Sequence, residues 1–190
     1  MSTKDTVVSF DDEKLILVDS QDNVIGYETK DKCHNGRGLL HRAFSIFIFN
    51  SKNELLLQQR HGSKRLWGSF WSNTCCSHPR KGESYEQATI RRLKEEVGLN
   101  TPLKYLYKFQ YQASFEDKGS ENELCSVYIG KTDKQPIINE TEISGWKYIS
   151  IDDLNAELAA HPERFTPWFK MEWQRLMDDY LQEIKEMEPR

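Results

Sequence analysis

Two rhythms of apolar and polar positions alternate along this chain. Short runs rich in β-branched, apolar and aromatic residues at 14–18, 43–49, 54–59, 105–113, 124–129 and 146–149 predict strands. The polar stretch Asn50-Ser51-Lys52-Asn53 separates the second run from the third and predicts a hairpin connection. A slower period begins at Ser84, where Ile90, Leu93 and Val97 mark one face of a helix expected over 84–97. Ser84 and Gln87 supply a capping box at its start, and Gly98 stands where a C-terminal cap belongs. A second helix is expected near Asp152 in SIDDLNAELAA. A third follows Pro167 over 168–187, with Trp173, Leu176, Met177, Tyr180, Leu181 and Ile184 at helical spacing. Packing against the rest of the domain is the favoured reading of this last stripe, ahead of a partner surface. With no interdomain linker, internal repeat or low-complexity segment, the pattern predicts one α+β domain over 1–190, with its core at roughly 15–170.

Composition removes several classes of function. The formal charge is −4 with no long basic block, which disfavours a nucleic-acid partner. No run approaches the ~20 apolar residues of a membrane span, and MSTKDTVVSF lacks the apolar core of a signal peptide. A cytoplasmic protein is therefore expected. In a reducing compartment the cysteines should be free thiols, with Cys33 and Cys125 structural. The chain has no Cys-x-x-Cys pair, which weakens a structural zinc module.

The candidate chemistry lies in three separated segments: His34 and His41; Cys76 and His78 in WSNTCCSHP; Glu121 and Glu123 in ENELC. Three imidazoles and two carboxylates can fill the coordination sphere of a divalent ion, and they leave Cys76 free to react. Such a donor set suits manganese, magnesium or zinc. Glu121 and Glu123 lie two apart in a predicted strand and so share a face. Like charges side by side need either solvent or a cation, so spacing alone leaves open an exposed acidic strand as well as a metal site.

The segment GESYEQATIRRLKEEVGL resembles the Nudix box. Aligned on Glu95, Glu96, Val97, Gly98 and Leu99, it puts Arg91 on the box arginine and Glu83 on the first glutamate. Arg92 falls where a glutamate is expected, and Ser77 where a glycine is expected. An arginine cannot ligate a cation, which counts against pyrophosphate hydrolysis while the fold persists. Arg92 and Glu96 share a helix face. They could bind a phosphate oxygen and a shared magnesium ion respectively, or form an ordinary surface ion pair. Together with the histidine pair, the CSH and ENE sequences and the late TPWF segment, the chain is similar to the type I isopentenyl diphosphate isomerases over roughly 15–170. CCSHP and TPWFK resemble the eukaryotic members, and the spacing of His34 and His41 resembles the bacterial ones. Ser77 in the glycine position is shared with that family. LWGSFW departs from it where a Pro-Gly pair usually follows the first aromatic, which leaves that turn's geometry open.

The resemblance implies a Nudix-type α/β/α sandwich with a mixed β-sheet, interconverting isopentenyl and dimethylallyl diphosphate through a tertiary carbocation. It implies a divalent metal on His34, His41, His78, Glu121 and Glu123. Cys76 and Glu123 would be the catalytic pair, with Tyr111 relaying a proton. Glu96 would hold a magnesium ion on the diphosphate, which Lys30, Arg60, Lys64, Ser77 and Arg92 would help to bind. Trp168 would line the reacting end with Tyr111, its ring face attracting a cation and its bulk excluding water. Neighbours in an extended segment point opposite ways, and the resemblance selects Cys76 over Cys75. The expected partner is a small-molecule diphosphate, with no nucleic acid or membrane, and the expected state is a monomer or weak dimer. The alternative is a Nudix-type pyrophosphohydrolase, distinguished by release of phosphate or a nucleoside monophosphate.

Overall fold

The computed structural model describes residues 5–190. Its strands are β1 (Lys14–Val18), β2 (Val24–Thr29), β3 (His41–Phe49), β4 (Leu55–Arg60), β5 (Trp71–Ser72), β6 (Cys75–Ser77), β7 (Lys104–Phe115), β8 (Gly119–Lys131) and β9 (Ile143–Ile149). Its helices are α1 (Lys30–Cys33), α2 (Tyr85–Arg92), α3 (Ile151–Ala160), α4 (Pro167–Asp179) and α5 (Leu181–Glu186).

Alternation along β3 gives the sheet two cores. Phe44, Ile46 and Ile48 point to one side, where Ala88, Leu93 and Val97 cover them. Ala43, Phe47 and Phe49 point to the other, against Leu154, Phe169, Trp173, Leu176 and Ile184 from the three C-terminal helices. Each of the Phe, Leu, Ile and Val side chains among them contributes ~1.5–3 kcal/mol by leaving water. Helices therefore clad both faces of a mixed sheet. β3 runs parallel to β8 from His41↔Glu123 to Phe49↔Lys131, and β7 pairs antiparallel with the far edge of β8. The other edge of β3 is shared among β1, β6 and the start of β4. Among the described residues no helix is long and apolar enough to cross a membrane.

Four expectations need correction. The turn after β3 forms, with Asn53 at φ 60°, but the expected hairpin has a single pair, Phe49↔Leu55, before β4 diverges to pair with β9. The helix expected over 84–97 is α-helical only to Arg92, and Leu93–Val97 form a wider π turn capped by Gly98 at φ 69°. Ile90, placed on the inner face by periodicity, is 46% exposed; the buried positions are Ala88, Thr89, Arg92, Leu93, Glu96 and Val97. The helix thus turns an arginine and a glutamate inward. Finally, the helix expected over 168–187 breaks at Tyr180, whose φ of −128° is not helical and whose ring stacks on Tyr107 at 5.5 Å. Elements α1, β5 and β6 give no periodic signal because they are short, and β2 gives none because none of its residues is buried.

Candidate active site

A cavity of about 610 Å³ opens where β3 and β8 begin, and its wall includes Lys30, His34, Arg60, Lys64, Cys76, Ser77, His78, Arg92, Tyr111, Glu121, Glu123 and Trp168. His41 and Glu96 lie behind that wall, buried at 0% and 3% exposure. The fold thus collects the segments picked out by sequence at one end of the sheet. Parallel pairing sets Glu123 beside His41, antiparallel pairing sets Tyr111 beside Glu123, and β6 delivers Cys76 and Ser77 just before His78. His34 is the C-terminal cap of α1, a helix begun by the Thr29 side chain.

The ligand atoms of His34, His41, His78, Glu121 and Glu123 all lie within 4.8 Å of one another. Two ligands on opposite sides of one cation must span ~4.2 Å, so small side-chain adjustments suffice to enclose an ion. His34 Nδ1 donates to the Lys30 carbonyl and His41 Nδ1 to the Leu39 carbonyl, both at 2.7 Å. These bonds turn each Nε2 inward, toward the carboxylates. His41 Nε2 has no hydrogen-bond partner although it is fully buried. His34 Nε2 lies 2.8 Å from Glu121 Oε2, and His78 Nε2 lies 2.9 Å from Glu123 Oε1. A buried orphan nitrogen facing converging carboxylates fits a cation.

The charges tell the same story. Burial opposes ionisation of Glu121, but the adjacent His34 outweighs it and holds that carboxyl down at about 2. Burial and the charge of Glu121 push Glu123 well above the usual carboxylate range. Burial and His34 pull His41 down to about 4, and burial with the other two imidazoles drives His78 well below its usual value. Without a cation, repulsion between the two carboxylates is thus relieved by a proton on Glu123. The Tyr111 hydroxyl donates to Glu123 Oε2 at 2.6 Å.

Cys75 and Cys76 face opposite sides, Cys75 into the core beneath α2 and Cys76 toward the cavity. Burial pushes the Cys76 thiol up to about 12, against the pull of Arg60. Arg60 is held by two carbonyls, Nε on Trp67 at 3.1 Å and Nη2 on Leu66 at 3.1 Å, while Nη1 reaches Cys76 Sγ at 3.6 Å. Its guanidinium also lies 5.2 Å from the Trp168 ring centroid. The turn supplying those carbonyls is the unusual LWGSFW segment, with Trp67 at φ 48° and Ser69 at φ 67°. Left-handed backbone at two non-glycine residues is strained, and here it aims carbonyls at Arg60. Trp168 is both core anchor and cavity wall: 3% exposed, it meets Trp67 edge-on at 5.3 Å and Tyr111 at 6.2 Å.

At the other end the wall is basic. Arg92 pairs with Glu96, and its Nη2 lies 3.4 Å from Glu142 Oε2; Lys64 also pairs with Glu142. The remaining box residues do structural duty, since Arg91 grips Glu83 with two bonds at 2.6 and 2.8 Å. Sequence reasoning missed two buried carboxyls. Glu142 carried no signal in INETEIS. Glu172 did, because a charge at the centre of the Phe169, Trp173, Leu176 stripe breaks the helix period on its buried face.

The sequence matches the NUDIX domain family over residues 39–169. Isopentenyl-diphosphate Delta-isomerase 1 of Photorhabdus laumondii is 44% identical over 174 residues, covering 90% of this chain and 99% of the relative. An isopentenyl-diphosphate Delta-isomerase of Pectobacterium atrosepticum is 42% identical over 177 residues, covering 93% and 98%. Among solved structures the chain is similar to DR0079 of Deinococcus radiodurans, with a TM-score of 0.71 at 25% identity over 86% of this chain and 98% of that one. The MutT protein of Methanosarcina mazei, with a TM-score of 0.60 at 17% identity over 75% and 96%, shares the fold alone.

Proposed function

The chain belongs to the type I isopentenyl-diphosphate Delta-isomerases of the Nudix superfamily, enzymes of isoprenoid biosynthesis that isomerise isopentenyl diphosphate to dimethylallyl diphosphate, and from that premise we propose which of its residues perform the reaction. The observation that carries the assignment is the Tyr111–Glu123 hydrogen bond at the mouth of the histidine cluster, in the same cavity as Cys76.

Glu123 is the acid. Its carboxyl faces the cavity with one oxygen on the Tyr111 hydroxyl, so in its protonated form it can protonate the terminal alkene carbon of isopentenyl diphosphate. A divalent cation (manganese, magnesium or zinc) on His34, His41, His78, Glu121 and Glu123 would offset the carboxylate charge and strengthen this acid. Tyr111 holds the second oxygen of Glu123 and exchanges its proton. Protonation leaves a tertiary carbocation, which Trp168 stabilises with its ring face while Trp67 and Trp168 keep water away. Cys76, in its ionised form, then takes a proton from the carbon nearer the diphosphate, and Arg60 beside it pulls toward that thiolate against the effect of burial. Lys30, Arg60, Lys64, Ser77 and Arg92 anchor the diphosphate, and Glu96 would hold a magnesium ion that offsets its charge.

Hydrolysis is not favoured, because a buried guanidinium occupies the position where the box would supply a carboxylate. The free thiols of all four cysteines suit a reducing, cytoplasmic setting. The test is turnover of isopentenyl diphosphate with magnesium in heavy water, followed by NMR. Solvent deuterium should enter the methyl groups of dimethylallyl diphosphate with no phosphate released; phosphate release without isomerisation would sink the assignment.

A further inference from the structure

Glu142 stands at the head of β9, 3% exposed, and lines the cavity although nothing in the mechanism above uses it. Its placement is fixed by backbone bonds. The Glu142 N–H donates to the Asn139 carbonyl at 3.0 Å, the Glu142 carbonyl accepts from His61 N–H at 2.9 Å, and Asn139 N–H donates to the Glu96 carbonyl at 2.8 Å. The turn carrying Glu142 is therefore tied directly to the π turn carrying Glu96. Between the two side chains lies one charged nitrogen: Arg92 Nη2 contacts both Glu96 Oε1 and Glu142 Oε2. Two buried carboxylates thus already share one cationic centre. Only Glu142 of the pair also faces the cavity.

Charge balance shows what this arrangement lacks. Lys30, Lys64 and Arg92 face Glu96 and Glu142, which leaves this end of the cavity with little net positive charge. A diphosphate ester brings roughly three negative charges at neutral pH. Lys64 and Arg92 cannot meet it while Glu142 occupies both, and an added divalent cation makes up the deficit. We propose that Glu142 is the second carboxylate of the cation site on the diphosphate: as the magnesium–diphosphate pair enters, Glu142 exchanges Lys64 and Arg92 for the cation, and those side chains turn onto the phosphate oxygens. The inference rests on the assignment of Glu96 and the basic side chains to the diphosphate given above. Glu142 thereby also sets selectivity, because a bare diphosphate must displace a carboxylate without offering it a new partner.

The test measures binding of inorganic diphosphate by calorimetry, without and with millimolar magnesium, on protein whose histidine cluster has been filled with zinc. Wild-type protein should bind the probe at least ~10-fold more tightly with magnesium. Glu142→Gln should bind bare diphosphate more tightly than wild type, since the competing carboxylate is gone. Its gain from magnesium should shrink by ~10-fold or more. An undiminished magnesium gain in this variant overturns the inference and leaves Glu142 a mere ion-pair partner. Should the glutamine variant not fold, Glu142→Asp decides. It keeps its charge for Lys64 but recedes from the cation, so bare-diphosphate affinity should hold while the magnesium gain falls several-fold, and an unchanged gain again overturns the idea. If wild-type protein shows no magnesium-dependent binding at all, the assignment of the diphosphate end itself fails, a result distinct from failure of Glu142 alone.

Discussion

Replacing Glu172 by glutamine should make the folded protein more stable at alkaline pH and little changed in acid. The side chain sits under the sheet at 1% exposure with no cation beside it. Oε1 accepts from Cys125 Sγ at 3.5 Å, and Oε2 has no hydrogen-bond partner. Burial therefore pushes the carboxyl from the ordinary 4.5 up to about 8. Between those values the folded chain keeps a proton that the unfolded chain has released, so its contribution is complete below pH 4.5 and declines as pH rises to about 8. At 1.36 kcal/mol per pH unit the ceiling is roughly 5 kcal/mol. Relaxation and water entry reduce the effect to ~2–3 kcal/mol. Glutamine has nearly the same shape and is neutral at every pH, so subtracting the two urea-unfolding curves isolates this one group. The difference should grow in favour of the variant from pH 4.5 to about 8 and then level off. Parallel pH profiles for the two proteins would refute the reasoning.

Cys76→Ala should keep metal affinity but lower turnover at least ~100-fold, and Cys76→Ser should be nearly as slow because a hydroxyl supplies almost no anion. Near wild-type rates in both would make Cys76 a packing residue. Tyr111→Phe strips the donor from Glu123 Oε2. It should cost ~1.5–3 kcal/mol in kcat with KM little changed, whereas a rise in KM alone would place Tyr111 in binding only. Gly119→Ala replaces no proposed ligand, yet at φ 141° the added methyl meets the His34 carbonyl. Both Tm and metal affinity should fall, the strain being ~1–3 kcal/mol, and a normal metal titration would show that His34 tolerates displacement.

Legibility in the sequence followed the range of the interaction. His34, His41, His78, Glu121 and Glu123 were readable because donor type and the two-residue period are local facts, and the cluster gathers all five. β3 and β8 were readable from their apolar runs, but their parallel pairing was not, because no local signal encodes which distant strand will be a neighbour. The π turn escaped because an α-helix and a π turn use the same residues, and only the inward rotation of Arg92 and Glu96 reveals it. Glu142 was hidden for a similar reason, since its meaning lies in Lys64 and Arg92. Glu172 could have been found by asking why a carboxyl interrupts an apolar stripe. The departure at LWGSFW marked a turn whose left-handed residues position Arg60.

The parallel register of β3 with β8 also bears on how the protein is made. His41 and Glu123 adjoin only after that register closes, and β6 must then seat beside β3 before His78 arrives. Parallel pairing across so much intervening chain is slow to form, since loop closure comes before any stabilising contact. Unlike a small zinc domain, whose whole ligand set lies close in sequence, this chain has only pairs of ligands within local reach, His34 with His41 and Glu121 with Glu123, and the full set waits for the sheet. Metal capture should thus trail the appearance of the sheet in a refolding time course, and late strand pairing, more than ion supply, should limit how fast newly made protein becomes active.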